Sequence, residues 1–118
     1  MRRTSFRPER VGELIRQTVA AFLTGDVRDP RIGFVTVTGV EVTADLSHAA
    51  VRVSVMGSEE EKARSLEGLA SAAGFLRAQL GRQLALRTTP ELRFQLDRGL
   101  EHAQQIDKVL KELKEPGD

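Results

Sequence analysis

The sequence predicts one α+β domain, with a three-stranded sheet packed against helices on one face. Three observations carry this. Apolar residues recur at helical spacing from Pro8 to Leu23 and again from the Ser58 region to about Leu84. Two runs rich in β-branched residues stand between those segments, and a shorter alternating run follows the second. The strands alternate apolar with polar side chains, which marks a sheet with one buried and one wet face. A chain of 118 residues suits one core rather than two.

The first helix places Val11, Leu14, Ile15, Val19, Phe22 and Leu23 on one stripe. Pro8 suits its first turn and Gly25 the position just past its end. "DVRDPRIG" then reads as a loop, because Asp29 precedes a proline and Gly33 permits a turn. Asp29, Pro30 and Gly33 are expected to be structural. In "FVTVTGVEV" the inward set is Val35 and Val37, then Val40 and Val42. That change of parity at Thr38-Gly39 predicts a β-bulge. "AAVRVSVM" alternates cleanly, with Val51, Val53 and Val55 inward. In "RTTPELRFQLD", Pro90 bars helix continuation, and Leu92, Phe94 and Leu96 alternate with polar residues. The crossover before it is long enough for a parallel strand. Ala103, Ile106, Val109, Leu110 and Leu113 predict a last amphipathic helix from Leu100 to Leu113, and "KEPGD" a disordered tail.

The segment from Ser58 to Leu84 poses a question. Ser58 with Glu61 predicts a capping box, and the acidic first turn suits the helix dipole. Gly74 within "SAAGFLR" then costs about 1 kcal/mol relative to alanine. Leu66, Leu69, Ala70, Ala73, Leu76, Leu80 and Leu84 hold one broad face with little slip across it. Periodicity therefore permits one helix. Phe75 points roughly opposite to that stripe, and its burial favours a bend at Gly74.

Composition narrows the function classes. The chain is 40% hydrophobic and 30% charged, which predicts a soluble globular protein. No apolar run approaches the roughly 20 residues of a membrane span, and no apolar signal core follows the basic N-terminus. An intracellular, cytoplasmic protein is expected. Cysteine is absent, which removes disulfides and thiol chemistry. The net charge is only +1, but its distribution is uneven. Arg2, Arg3, Arg7, Arg10 and Arg16 face only Glu9 and Glu13 in residues 1–16, and Arg77, Arg82, Arg87, Arg93 and Arg98 face Glu91 and Asp97 in residues 77–98. Acid concentrates at Glu59–Glu61 and in the tail. Arginine suits phosphate through its planar fork.

No catalytic pattern stands out. His48 and His102 lie in different elements, and no spacing offers a metal set. His48 near Asp45 is explained by a turn. Ser47 and Ser58 lack a nucleophile motif, and the ten glycines form no phosphate loop. Base stacking on the sheet is also disfavoured, since there is no Trp or Tyr, Phe22 and Phe94 fall on core faces, and Phe34 starts a strand. Any RNA would be held through arginines, helix ends and backbone.

Several stretches together resemble a known family. They are "RPERV", "DPRIGFVTVTGVEVTADLSHAAVRVSV", "SAAGFLR" with the following "LG", and "LRTTPELRFQLD", spanning Arg7 to Asp97. The chain resembles bacterial ribosome-binding factor A. The resemblance implies a type II KH-like fold of order α-β-β-α-α-β, here followed by the C-terminal helix. Residues 1–98 would form the KH-like RNA-binding domain, and 99–118 a C-terminal helix and flexible tail of that domain. It also implies a non-enzymatic assembly factor without cofactor or metal. Such a factor binds the free small (30S) subunit and 16S rRNA, assists late maturation including 5′-end processing, and is linked to growth in the cold. A monomer is expected, with neighbouring ribosomal proteins or other assembly factors as further partners. A small protein-interaction or dimerisation module is the alternative.

KH domains hold nucleic acid at a Gly-x-x-Gly loop, and no pair of glycines in this sequence has that spacing. The family carries an Ala-x-Gly kink instead, matched by Ala72, Ala73 and Gly74. A bend there would expose helix N–H groups to phosphate. The expected RNA-binding residues are therefore Ala72, Ala73, Gly74, Arg77, Arg82 and Arg87, with Arg2, Arg3, Arg7 and Arg10 as a second cluster.

Overall fold

In the computed structural model, residues 7–25, 29–84 and 89–99 are described. Arg2, Arg3, Arg87 and the helix expected over Leu100–Leu113 lie outside them. Helix α1 (Pro8–Thr24) begins at Pro8, where a missing N–H is harmless, and buries Val11, Ile15 and Val19 completely. Gly25 closes it by donating its N–H to the Phe22 carbonyl.

Strands β1 (Val35–Val42) and β2 (His48–Val55) pair antiparallel, and β3 (Glu91–Leu96) pairs parallel with β2. The sheet order is β1-β2-β3. The expected bulge is present, as the register passes from Val37↔Val53 directly to Gly39↔Arg52 and leaves Thr38 as the extra residue. It resets the parity, so that Val35, Val37, Val40 and Val42 all pack against the core. At the reset the Arg52 guanidinium lies over Gly39, where a Cβ would be 2.5 Å from one of its nitrogens and would push the arginine aside. Between the strands, Asp45 accepts bonds from the Ser47 N–H and from the Thr43 and Ser47 hydroxyls, which hold its carboxyl down at about 2.

Helix α2 (Glu59–Gln83) opens on the expected capping box. The Ser58 hydroxyl accepts the Glu61 N–H, and the Glu61 carboxylate accepts the Ser58 N–H. Its backbone is helical without interruption through Gly74. The expectation of two helices joined by a break at Ala72-Ala73-Gly74 is therefore corrected to one helix. The core explains why. Leu69, Leu76 and Leu80 are all fully buried on one stripe, which holds the helix in phase across the glycine. Phe75 finds its partner on another helix. It stays 56% exposed and lies against Phe22 of α1, with ring centroids 6.1 Å apart and planes tilted by 48°.

Segment 29–34 runs along α2 as a strap. The buried Ser65 hydroxyl accepts the Gly33 N–H at 3.1 Å and donates to the Arg31 carbonyl. Ile32 sits so close to Gly68 that a Cβ there would lie 2.6 Å from its Cγ1. Arg31 holds Asp29 with two nitrogens, at 3.0 and 2.7 Å, and reaches Ser71 at 3.0 Å. Those bonds, joined by the Arg31 N–H, lower the Asp29 carboxyl to about 2. The structural roles expected of Asp29 and Gly33 are thus realised in their contacts.

The sheet has two ends. Val42, His48 and Glu91 mark one, and Val35, Val55 and the end of β3 mark the other. Helix α1 lies over β1, α2 lies over β3, and the two helices touch.

Candidate nucleic-acid interface

The described arginines of the two expected clusters are gathered towards one end. Arg7 and Arg10 stand at the start of α1. Two residues on, Gly12 lies over Val40 and Val42 of β1, with 3.5 Å between its Cβ position and either residue. Arg77 and Arg82 stand in the last turns of α2, which leads to β3 through Thr89 and Pro90. A Cβ on Gly81 would lie 3.2 Å from the Thr89 hydroxyl, and Arg82 follows it, exposed. All four arginines therefore sit towards the end marked by Val42, His48 and Glu91.

They are not equivalent. The Arg77 guanidinium donates twice to the Thr89 carbonyl, at 3.0 and 2.8 Å, and so ties the chain entering β3 back to α2. Arg7, Arg10 and Arg82 are exposed, and among the described residues their side chains make no ion pair. Unneutralised guanidinium groups on helix ends suit a phosphate backbone. Arg77→Ala is expected to lower stability by about 1 kcal/mol, through loss of the carbonyl bonds. Arg82→Ala should leave it within about 0.5 kcal/mol. Thermal melts of the two variants check this.

Of the expected small-residue site, Ala72 and Ala73 are partly buried against the core. They serve packing at least in part. Gly74 differs, because it is exposed and a Cβ there would meet nothing within 4 Å. Its smallness answers no contact among the described residues. Because α2 is unbroken, its backbone N–H groups at Gly74 are used within the helix. What Gly74 offers a phosphate is close approach, not free donors.

The opposite end has a different character, and sequence reasoning did not single it out. Phe34 and Met56 are 81% and 75% exposed. They oppose each other one step beyond the Val35↔Val55 pair, joined by a bond from the Met56 N–H to the Phe34 carbonyl. Strand parity was the available signal, since inward Val35 and Val37 put Phe34 outward. Glu59 lies at this end. Arg98 and then Lys62 bond it and hold its carboxyl at about 2.

Around His48 the order of contacts is Asp45, Ser47, His48. The Ser47 hydroxyl donates to Asp45 at 2.7 Å and lies 2.8 Å from His48 Nδ1. The serine thus gives its proton to a carboxylate in a hairpin turn, and the histidine stands on the far side. A nucleophilic triad needs the histidine between the other two. His48 Nε2 is 3.5 Å from a Glu91 carboxylate oxygen across the β2–β3 pair. Among the described residues no three His, Asp or Glu side chains come together as a metal-holding group. Among them, too, no helix is long and apolar enough to cross a membrane.

Comparison with known proteins bears on the whole chain. The family model for ribosome-binding factor A matches residues 7–110. The ribosome-binding factor A of Desulforamulus reducens is 50% identical over 109 residues, covering 92% of this chain and 91% of that protein. The solution structure of a putative ribosome-binding factor A from Thermotoga maritima is similar with a TM-score of 0.61 at 34% identity, covering 80% of this chain and 86% of that one. A Thermus thermophilus homology model fitted into a cryo-EM map of a 30S complex of that factor gives a TM-score of 0.58 at 29% identity, covering 73% and 90%. Sequence and KH-like fold agree, and the chain belongs to the ribosome-binding factor A family.

Proposed function

We propose that this protein is a non-enzymatic assembly factor of the small ribosomal subunit. It binds the free 30S particle, contacts 16S rRNA, and assists late maturation including 5′-end processing. It acts in the cytoplasm as a monomer, without a cofactor, and supports growth in the cold. The observation that carries the RNA contact is the set Arg7, Arg10 and Arg82 without ion-pair partners among the described residues, at the end of the fold where Gly74 lies open on the same helix as Arg82. Family membership, and the fitting of a similar protein into a 30S complex, support the choice of partner.

The contact surface comprises Arg7, Arg10, Ala72, Ala73, Gly74, Arg77 and Arg82, with Arg2, Arg3 and Arg87 from outside the described residues. Arg77 serves it chiefly by setting the α2–β3 connection. The test is sedimentation with purified ribosomal particles. The protein should travel with free small subunits, and its binding should fall steeply with salt. Recovery only with translating ribosomes would overturn the reading. Salt-independent binding would favour an apolar protein-interaction module instead.

A further inference from the structure

One aromatic side chain of α2 lies in water beside the proposed RNA surface, and packing accounts for only part of it. Phe75 follows Gly74 directly and is 56% exposed. Its ring partner among the described residues is Phe22, with centroids 6.1 Å apart and planes tilted by 48°. The pair steadies the ring and leaves more than half of the Phe75 side chain uncovered.

The helix places a cation on the same line. Arg82 is seven residues on, which is two turns less about 20° at a rise of about 10.5 Å. Side chains on a helix lean towards its N-terminus, so that of Arg82 leans back towards Phe75. Between them stands Ala78, exposed and too small to block the way. A planar group lying on Phe75 can therefore carry an anionic neighbour within reach of the Arg82 guanidinium.

Charge favours a polyanion there. From Gly68 to Gln83, α2 carries Arg77 and Arg82 and no acid. One turn before Phe75, the Arg31 guanidinium reaches the Ser71 hydroxyl and already holds Asp29. Arg77 is committed to the Thr89 carbonyl, so Arg82, exposed and without an ion pair among the described residues, is the cation left for a phosphate. An exposed ring beside an unpaired guanidinium is how proteins hold single-stranded nucleic acid, since every base has a flat π face. The sheet does not supply that ring from Phe94, which packs against the core.

We propose that Phe75 stacks on an unpaired base of the rRNA while Arg82 holds the adjoining phosphate, with Gly74 and Ala78 leaving room for the sugar-phosphate chain. The site then takes a nucleotide outside a duplex, a distinction that phosphate contacts alone do not make. This rests on the small-subunit reading above.

The test uses the full chain and purified free small subunits. Phe75→Leu keeps an apolar side chain against Phe22 but removes the π face. It should weaken binding about tenfold and leave the salt slope unchanged, since no charge is altered. Its melting temperature should hold, and Phe75→Tyr should bind like the parent. A role confined to packing would instead move the melting temperature and leave the folded chain's binding as it was. Phe75 is also replaced by a photoreactive azidophenylalanine, and the cross-linked product is mapped. A cross-link to an unpaired rRNA nucleotide is expected. A cross-link to paired rRNA, to a ribosomal protein or to a second copy, none from a chain that binds, or full binding by Phe75→Leu overturns the proposal. Failure of the unaltered protein to bind small subunits would instead remove the function proposed above, and this site with it.

Discussion

Changing Arg7, Arg10 and Arg82 together to glutamate is expected to weaken binding to free small subunits by about 100-fold at moderate salt. Each arginine that meets a phosphate displaces condensed counterions and contributes roughly 0.7–0.9 to the slope of log affinity against log salt. Losing three should flatten that slope by about 2, and the reversed charges then add repulsion. The fold should tolerate the change. All three side chains are exposed, and none pairs with a described acid. Arg77 is left intact, because its two bonds to the Thr89 carbonyl would confuse a binding loss with a folding loss. The measurement is a titration of subunits at several salt concentrations beside a thermal melt. An unchanged slope would remove these arginines from the interface.

The fold was legible because its signals are local. The bulge could be read at Thr38-Gly39 from the change of parity between Val35 and Val42, and the capping box from Ser58 and Glu61 alone. Both are present. The parallel third strand followed from Pro90 and the length of the crossover. The break at Gly74 misled because the bend was argued from Phe75, a residue whose partner lies on another helix. Nothing in the sequence placed Phe22 beside Phe75, so a local argument could not foresee the inter-helix contact that Phe75 makes. The structural bond of Arg77 was illegible for the same reason. Its side chain reaches twelve residues forward to a carbonyl, and periodicity says nothing of carbonyls. The candidate site divides along this line. The exposure of Arg7, Arg10 and Arg82 could be inferred from helix phase, but their approach to one end of the sheet could not. That depends on how α1 lies across β1 and how α2 returns to β3.

Gly68→Val and Gly74→Val should have opposite consequences, although both glycines lie in the interior of one helix. At Gly68 a first added carbon would already lie 2.6 Å from Ile32 Cγ1, 3.3 Å from its Cδ1 and 3.4 Å from the Arg31 Cβ. Ile32 cannot simply swing away, because Ser65 pins the Arg31 carbonyl and the Gly33 N–H on either side of it. The whole strap must lift. Overpacking of this kind costs about 3 kcal/mol for a branched side chain, and should lower the melting temperature by roughly 10–15 °C. At Gly74 a Cβ meets nothing within 4 Å, and valine is a somewhat better helix former than glycine. Stability there should stay within about 0.5 kcal/mol of the parent, or rise. Binding should behave the other way round. Gly74 costs the helix backbone entropy with no return in packing among the described residues, and the proposed return is the close approach of a partner. Gly74→Val should therefore weaken binding to small subunits at least about fivefold with no loss of fold, since a branched side chain holds a phosphate backbone away from the helix surface. Full binding by Gly74→Val would show that nothing approaches there, and would confine the interface to the arginines.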